Sequence, residues 1–380
     1  MDITTLGIDV SKNSFHVIGA NRAGKPVFRQ KFTRQKLTEF IANHPPCLIG
    51  MEACPGSQHF ARKFEELGHQ VRLMPAQFVK PYVKSNKNDF NDAAAIAEAV
   101  CRPTMRFVTT KTTEQHDLQA MHRVRERLVR TRTSIICQIR SFLLENGITV
   151  RTGRAALAWA LPAILEDPDQ RLSERMRSLI CRLRDQWRFI DEDINAVSKE
   201  LEAIARSRDD CRRLLTIPGV GPLVATALVA SVGNGRHFKR GRELAAWLGL
   251  VPREHSTGGK QRLLGISERG SSYLQKLMIH GARSCYVNMS REPHHMGLRI
   301  DQLTQRGART ATLWLSLWPT SSPASVGPSC VTGPSIIASK RDRRHEEITV
   351  PRLAVTRYRW QRSQSLVVAA RLESGRQRPM

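Results

Sequence analysis

Four carboxylates constrain the fold of this chain more than any other feature of its sequence. Asp9 and Glu52 each end a short apolar run typical of a buried strand, and Asp89 and Asp92 stand three residues apart at the start of a helical stretch. A fold that brings the four together places like charges side by side, which is costly without a cation. Carboxylate oxygens suit Mg²⁺ or Mn²⁺, and such ions stabilise the oxygens of a phosphoryl transfer. The sequence therefore predicts metal-dependent chemistry on nucleic acid.

The order of predicted elements indicates an α/β N-terminal domain of the RNase H-like (RuvC-like) class. Three strands in a meander come first, and helices and strands then alternate. The predicted strands cover 2–10, 14–20, 26–32, 47–53 and 69–75, and the predicted helices cover 34–43 and 57–67, with a last helix from near Asp89. Mixed sheets hold their sites at strand ends. Taken alone, Asp89 has a plainer explanation as the cap of the helix that follows it.

The chain is strongly basic, with 60 Lys and Arg residues against 34 Asp and Glu and a net charge of +26 over 380 residues. A field of this sign attracts a polyanion, so DNA or RNA is the expected partner. A membrane surface is the competing partner, but the sequence has no long uncharged apolar span and no signal peptide. Eight scattered cysteines without a Cys-x-x-Cys pair predict reduced, mostly buried thiols. A soluble intracellular protein that does not bind membranes is expected.

Two long helical stretches are predicted in the middle of the chain. The first, Gln115 to Leu144, has apolar residues at helical spacing and six arginines. Among these arginines the candidates for nucleic-acid binding are Arg123, Arg127 and Arg130. A packed helix with a solvated basic face is the plainer interpretation, and both can hold at once. The second stretch, 172–206, has an apolar pattern that suits a coiled-coil hairpin or a dimerisation arm.

A glycine-rich turn at 217–221 is a candidate phosphate contact. Gly219 and Gly221 follow Pro218 between two helical segments, as in a helix-hairpin-helix. Backbone N–H groups at the start of the second helix can hold a phosphate. A plain tight turn between helices is the alternative, because Gly-Val-Gly is a short motif.

A polar loop is predicted at 252–262, after a segment in which Trp247 and Leu248 are expected core residues. Its glycines allow a close approach to a phosphate, and its basic side chains can bind one. Those basic residues are Arg253, Lys260 and Arg262.

Five segments occur in order over most of residues 4–285: GIDVSK, the Glu52 strand, KNDFNDAAAIAEA, the IPGVG turn and GLVPREHSTGGKQRLLGIS. Together they resemble the DEDD-type insertion-sequence transposases of the IS one-ten family, especially its second branch. The resemblance implies a RuvC-like domain, then a mostly α-helical coiled-coil region and a helix-hairpin-helix-containing transposase domain with a catalytic serine. The implied domains are 1–110 (RuvC-like), 111–208 (long helix and coiled coil), 209–312 (transposase) and 313–380 (tail).

The resemblance also assigns residues and partners. The implied ligands of Mg²⁺ or Mn²⁺ are Asp9, Glu52, Asp89 and Asp92. Ser256 takes the position of the nucleophile, and Thr257 beside it is the alternative. The implied partners are DNA, a bridge RNA that selects donor and target DNA, and further copies of the chain in a dimer or tetramer. The implied location is the bacterial cytoplasm, on the nucleoid.

The end of the chain departs from the family pattern. Family members close with Ala-rich helices, whereas residues 313–334 are rich in Pro and Ser, which break helices. GC-rich codons for this segment, read in another frame, encode an Ala-rich helical peptide. We therefore expect a frameshift near residue 311 and a disordered, Arg-rich tail over 313–380. Such a tail can make this copy inactive.

Three other functions fit parts of the sequence. A Holliday-junction-resolvase-like nuclease would use the same carboxylates with metal ions. An actin-like ATPase or kinase opens with a similar strand, Asp and turn, but the chain shows no second phosphate loop and is far more basic. A non-catalytic DNA-binding protein would leave the four carboxylates unexplained.

Overall fold

A mixed five-stranded sheet forms the N-terminal part of the chain in a computed structural model, which describes residues 2–84, 86, 88–167, 172–236, 238–267 and 269–289. Its strands are β1 (Thr5–Val10), β2 (Ser14–Ala20), β3 (Pro26–Thr33), β4 (Leu48–Glu52) and β5 (Gln70–Met74). The strand order is β3-β2-β1-β4-β5, in which β1–β3 form an antiparallel meander and β4 runs parallel to both β1 and β5. The predicted meander and the central place of the first strand are confirmed.

The helices of this part are α1 (Arg34–Ala42), α2 (Ser57–Glu66), α3 (Ala76–Val79) and α4 (Asp89–Ala99), with a 3₁₀ turn at Lys80–Tyr82. The predicted helices at 34–43 and 57–67 and the one beginning near Asp89 are confirmed. The sequence did not predict α3 or the 3₁₀ turn, because a four-residue helix is too short for a periodic pattern.

The two faces of the sheet differ because side chains alternate along a strand. One face packs against α1 and α2 through fully buried apolar residues of β1 and β4, namely Leu6, Ile8, Ile49 and Met51. The intervening residues, Gly7 and Asp9 of β1 and Gly50 and Glu52 of β4, point to the opposite face. Helix α4 crosses that second face over β1, β2 and β4.

The rest of the described chain is mostly helical. Its elements are α5 (Thr113–Glu145), α6 (Arg154–Leu165), α7 (Glu174–Ser207), α8 (Asp209–Leu215), α9 (Pro222–Val232), α10 (Gly241–Trp247), β6 (Pro252–Glu254), β7 (Leu263–Ile266) and α11 (Ser272–Met289). The two long predicted helices are confirmed as α5 and α7. The loop predicted at 252–262 is wrong in part, because β6 and β7 pair as a hairpin.

Helices α5 and α7 pack antiparallel. Arg125 Nε of α5 donates to Ser198 Oγ of α7 at 2.8 Å, and two turns further along α5 Arg132 Nη1 donates to Asp191 Oδ1 at 2.9 Å. Four of the five buried residues of α7 recur every seven positions, at Ile180, Trp187, Ile194 and Leu201, and the fifth is Ala205. A hairpin-like helix pair is therefore present, while its coiled-coil character and a role in dimerisation stay predictions.

A buried histidine joins three helices of the C-terminal half. His122 of α5 lies 2.9 Å from Tyr273 Oη of α11 through Nδ1 and 3.0 Å from Thr226 Oγ1 of α9 through Nε2. The Thr226 hydroxyl donates to Pro222 O at 2.8 Å, so it must accept from Nε2–H. Nδ1 then accepts from Tyr273. Burial, and secondly the charge of Arg125, lower the pKa of His122 to about 4, so the ring is neutral.

Two expectations about burial are wrong. Leu248 is buried as predicted, but Trp247 is 41% exposed, and its indole meets the ring of buried Phe238 edge to face at 5.8 Å. Of the seven described cysteines, only Cys211 and Cys285 are buried. Among the described residues, no helix combines the length and apolarity that crossing a membrane requires. The tail predicted at 313–380 lies outside the described residues.

Candidate functional site

Asp9 and Glu52 lie side by side at the carboxyl ends of β1 and β4. The parallel register pairs Ile8 with Met51, so the next residue of each strand is one of the two carboxylates. Both are half-buried. Burial, followed by the charges of Glu52 and Asp9, raises the pKa of the Cys54 thiol, so both carboxylates act on this one side chain. The predicted placement of the two residues at strand ends is confirmed.

Gly7 and Gly50 allow α4 to lie directly on the face that carries these carboxylates. A methyl carbon added at Gly7 would stand 2.3 Å from Ala93 O and 2.5 Å from Ala97 N. One added at Gly50 would stand 2.8 Å from Val100 Cβ. Any larger residue would push the helix off the sheet. The sequence analysis missed these two glycines, although each stands two residues before a site carboxylate.

The first turn of α4 carries Asp89 and Asp92. The cap of this helix is Asn88, whose side-chain oxygen accepts from Phe90 N–H at 2.9 Å. The plainer explanation of Asp89 as the helix cap is therefore wrong. Both carboxylates lie in the acidic first turn, where the helix dipole stabilises negative charge.

Asp92 faces Glu52 across the sheet face. Burial, and secondly the charge of Asp92, raise the pKa of Glu52 above its ordinary value. A divalent cation between the two groups would relieve the repulsion, and hard carboxylate oxygens are its preferred ligands, so these residues fit Mg²⁺ or Mn²⁺. Within the described residues, no three His, Cys, Asp or Glu side chains form a metal-binding group. The structure brings Glu52 towards Asp92 and Asp9, whereas Asp89 lies nearer His16.

His16 is a site neighbour that the sequence analysis missed. It is buried in β2 directly opposite Asp9 in the antiparallel register. Its Nδ1 lies 3.4 Å from Asp89 Oδ2, and its ring meets Phe90 edge to face at 4.7 Å. Nδ1 and the carboxylate are close without being aligned for a hydrogen bond, and Nδ1 makes none within the described residues. Only the strand register, which pairs His16 with Asp9, could have signalled its place.

Ser256 lies on the hairpin of β6 and β7, far along the chain from the carboxylates. Thr257 and Lys260 pair across a turn made by Gly258 and Gly259, whose φ values of +55° and +74° favour glycine. All residues of 252–265 are exposed. An isolated two-stranded hairpin is marginally stable in water, so this one is suited to being covered by a partner.

The Ser256 hydroxyl is engaged by a carboxylate. Its Oγ donates to Glu254 Oε1 at 2.5 Å, and Gln261 Nε2 donates to the same oxygen at 3.3 Å. The sequence analysis named neither Glu254 nor Gln261. Residues two apart share a face only on a strand, and the sequence pattern predicted a loop here, so it could not signal this contact.

The basic residues of the hairpin occupy its other face. His255 N–H donates to Arg262 O at 2.9 Å, and Thr257 pairs with Lys260. These four residues stand at the strand positions between those of Ser256, Glu254 and Gln261, so their side chains point to the opposite face. Arg253, Lys260 and Arg262 are all exposed, as a phosphate contact requires.

The arginines of α5 divide into two groups. Arg123, Arg127 and Arg130, the candidates for nucleic-acid binding, are exposed. Of these, Arg130 Nη2 also donates to Glu126 Oε1 one turn before it, at 3.0 Å. The other three are partly buried and donate to groups elsewhere in the chain: Arg125 to Ser198, Arg132 to Asp191, and Arg140 to the carbonyls of Val150, Arg151 and Gly153. Sequence spacing alone does not separate the two groups.

The two glycines of the turn before α9 have different surroundings. Gly219 has φ +82°, and a methyl carbon there would stand 2.8 Å from Gly281 O of α11, so packing explains this glycine. Gly221 caps α9 and has open space around it. Of the two, Gly221 is the one that a phosphate can approach.

Comparisons with known proteins agree over both halves of the chain. A family model of the DEDD transposase of the IS110 type matches residues 6–147. A model described as "Transposase IS116/IS110/IS902 family" matches residues 211–296. The first match contains all four carboxylates, and the second contains the turn at Gly219 and the Ser256 hairpin.

Three relatives are similar over most of their length. A "Probable family 20 transposase" of Pseudomonas aeruginosa is 45% identical over 75% of this chain and 84% of its own. The "Transposase for insertion sequence element IS1328" of Yersinia enterocolitica is 42% identical over 78% of this chain and 87% of its own. The "Transposase for insertion sequence element IS1111A" of Coxiella burnetii is 42% identical over 80% of this chain and 84% of its own.

Proposed function

The chain belongs to the IS116/IS110/IS902 family of insertion-sequence transposases, and we propose that it cuts and rejoins DNA with two chemical centres. One centre is the carboxylate group on the N-terminal sheet, and the other is Ser256 on the β6–β7 hairpin. The observation that carries the proposal is the direct seating of α4 on Gly7 and Gly50, which brings Asp92 to Glu52 beside Asp9.

The carboxylates would hold one or two divalent cations. Glu52 and Asp92 face one another, Asp9 is adjacent to Glu52 on the next strand, and Asp89 lies on the same helix turn as Asp92. Bound Mg²⁺ or Mn²⁺ would supply charge stabilisation to the oxygens of a phosphoryl transfer. Burial, and secondly the charge of Asp92, raise the pKa of Glu52 and favour its protonation, so cation binding would weaken as the pH falls.

Ser256 is proposed as the nucleophile. Its Oγ is exposed and already hydrogen-bonded to a carboxylate, which is the arrangement of an activated hydroxyl. Thr257 remains the alternative. It pairs through its backbone with Lys260 and lies on the opposite face of the hairpin from Glu254, so the geometry favours Ser256.

DNA is the proposed substrate, and positively charged surfaces on two parts of the chain would bind its phosphates. Arg123, Arg127 and Arg130 form one such surface on α5. Arg253, Lys260 and Arg262 of the hairpin form another, and the start of α9 at Gly221, which has open space around it, would contact a phosphate in a helix-hairpin-helix-like way.

A bridge RNA and an oligomer complete the proposal. Both rest on the family resemblance, and the fully exposed hairpin supports an active site that is assembled between copies of the chain. Binding to chromosomal DNA would locate the protein on the bacterial nucleoid. We also propose the division into domains that the resemblance implies, with boundaries after residues 110, 208 and 312.

The test is a cleavage assay on DNA that carries the sequences flanking the gene, with RNA transcribed from them and Mg²⁺. We expect Asp9→Asn, Glu52→Gln and Asp92→Asn to abolish cleavage while DNA binding is retained. Glu66→Gln, an exposed carboxylate of α2, is the matched control. Each variant is made in the chain as it stands and in one with the reading frame restored near residue 311.

The covalent state of the product separates the candidate enzymes. A serine recombinase leaves a protein–DNA adduct that survives denaturant, and Ser256→Ala should lose it. A water-using nuclease of the Holliday-junction-resolvase kind would cut the DNA without an adduct. Full cleavage by the Asp9 and Glu52 variants would refute the carboxylate centre.

A further inference from the structure

We propose that Glu254 is a catalytic residue, the general base that takes the proton of Ser256 when the serine attacks DNA. This inference rests on the proposed function of Ser256 as the nucleophile, and it names the group that activates it. Neither the sequence motifs nor the comparisons assign a role to Glu254. The hydrogen bond from Ser256 Oγ to Glu254 Oε1, at 2.5 Å, carries the inference.

The partners of this hydrogen bond, a hydroxyl donor and a carboxylate acceptor, form a charge-assisted pair. An O–H donor to an ionised carboxylate forms the short, strong class of hydrogen bond, at about 2.5–2.7 Å. A general base must lie within hydrogen-bond reach of the proton that it removes. Glu254 meets this condition without any movement of the chain.

Gln261 is the positioning residue of this pair. Its Nε2 donates to the same Oε1 at 3.3 Å, so this carboxylate oxygen accepts from two donors and is held towards the serine. Backbone pairing explains the meeting of the three side chains. Thr257 pairs with Lys260 and Glu254 with Leu263, which places Ser256 opposite Gln261 and on the same face as Glu254.

The hairpin backbone holds this geometry. Thr257 N–H donates to Lys260 O at 3.3 Å, and Lys260 N–H donates to Thr257 O at 3.0 Å. The Gly258–Gly259 turn has both residues at positive φ, which matches the twist of a two-residue hairpin. Strand pairing of this kind fixes the side chains of one face relative to one another.

The neighbouring histidine does not compete for this role. His255 lies between Glu254 and Ser256 in the chain, so its side chain points to the other face of the strand, with Lys260 and Arg262. The two faces therefore divide the chemistry. One face carries the hydroxyl and its base, and the other carries charges that would hold DNA phosphates beside the cleaved one.

The proposed step balances as follows. Ser256 Oγ forms a bond to the DNA phosphorus, its proton passes to Glu254 Oε1, and the bond from phosphorus to the leaving deoxyribose oxygen breaks. The leaving oxygen takes a proton from solvent, and no oxidant or reductant is needed. In the rejoining step the DNA hydroxyl attacks the phosphoserine and releases its proton to solvent, the bond from phosphorus to Ser256 Oγ breaks, and Glu254 returns its proton to that oxygen.

Three substitutions test the role of Glu254. Glu254→Gln keeps an oxygen that can accept the serine hydrogen bond but cannot take its proton, whereas Glu254→Ala removes both. Gln261→Ala removes only the orienting contact. The control is Glu200→Gln, an exposed carboxylate on α7. The measurements are the single-turnover rate of adduct formation on a suicide DNA substrate and, separately, DNA affinity, in the full chain and in its frame-restored version.

We expect Glu254→Gln and Glu254→Ala to slow adduct formation by about 10²–10⁴-fold with unchanged DNA affinity, the range that general-base catalysis supplies. Gln261→Ala should cause a smaller loss, and Glu200→Gln none. Glu254→Gln within a few-fold of the parent rate would overturn the inference while leaving Ser256 as the nucleophile. An adduct that persists in Ser256→Ala, or no adduct in either version of the chain, would instead refute the nucleophile, and the role of Glu254 with it.

Discussion

Substituting Gly7 by alanine tests the geometry on which the carboxylate centre depends. The new methyl carbon would stand 2.3 Å from Ala93 O and 2.5 Å from Ala97 N, which is about 1 Å inside ordinary contact distance. Both atoms belong to the backbone of α4, so rotation of a side chain cannot relieve the overlap. The helix must lift away from β1, and Asp92 moves with it.

The expected cost follows from that displacement. Overpacking a close-packed interface costs about 1–3 kcal/mol of the free energy of unfolding, and we expect the upper end because backbone atoms collide. Misplacement of a catalytic group by about 1 Å can lower a rate by about 10²-fold. Gly7→Ala should therefore lose stability in the N-terminal domain and about 10²-fold in metal-dependent cleavage.

Gly24→Ala is the matched control for the loss of stability. Gly24 has φ +76° and open space around it, so alanine there is strained by about 1–2 kcal/mol without displacing α4. Urea unfolding, hydrogen exchange of β1 and α4, and the cleavage assay are measured for both variants. The reasoning is refuted if Gly7→Ala resembles the parent protein, or if both variants lose cleavage in proportion to their stability.

Two further predictions concern the helical half of the chain. Arg123→Gln should weaken DNA binding and reduce the slope of log affinity against log salt concentration by about one. Arg125→Gln, which loses the hydrogen bond to Ser198, should lower the stability of the fold and leave that slope unchanged. Filter binding over a salt series measures both slopes, and equal slopes for the two variants would contradict the prediction. The chain should lose on the order of 3 kcal/mol of stability as the pH falls from about 6.5 to about 4, because burial lowers the pKa of His122 to about 4 and the unfolded chain takes the proton first. Urea titrations over this pH range test the effect, which His122→Gln should remove.

Local pattern was sufficient for most of the N-terminal fold. The short apolar runs of β1 and β4 predicted strands, and the apolar spacing of α5 and α7 predicted two long helices. The strands of the β6–β7 hairpin were missed because every residue of 252–265 is exposed, so no alternation of apolar and polar residues marks them. Trp247 was placed in the core on hydrophobicity alone, which does not report the direction of a side chain.

The sequence by itself determined the main strands and helices of the N-terminal part, the order of the four carboxylates and their places at two strand ends and one helix start. Tertiary structure decided which of them meet. Glu52 approaches Asp92 because Gly7 and Gly50 allow α4 to lie on the sheet face. The sequence shows that these positions are glycine, but it does not show which element packs against them. The pairing of Ser256 with Glu254 depends in the same way on strand pairing. The spacing of apolar residues indicates which face of one segment is buried, whereas a functional site depends on contacts between segments that are distant in the chain.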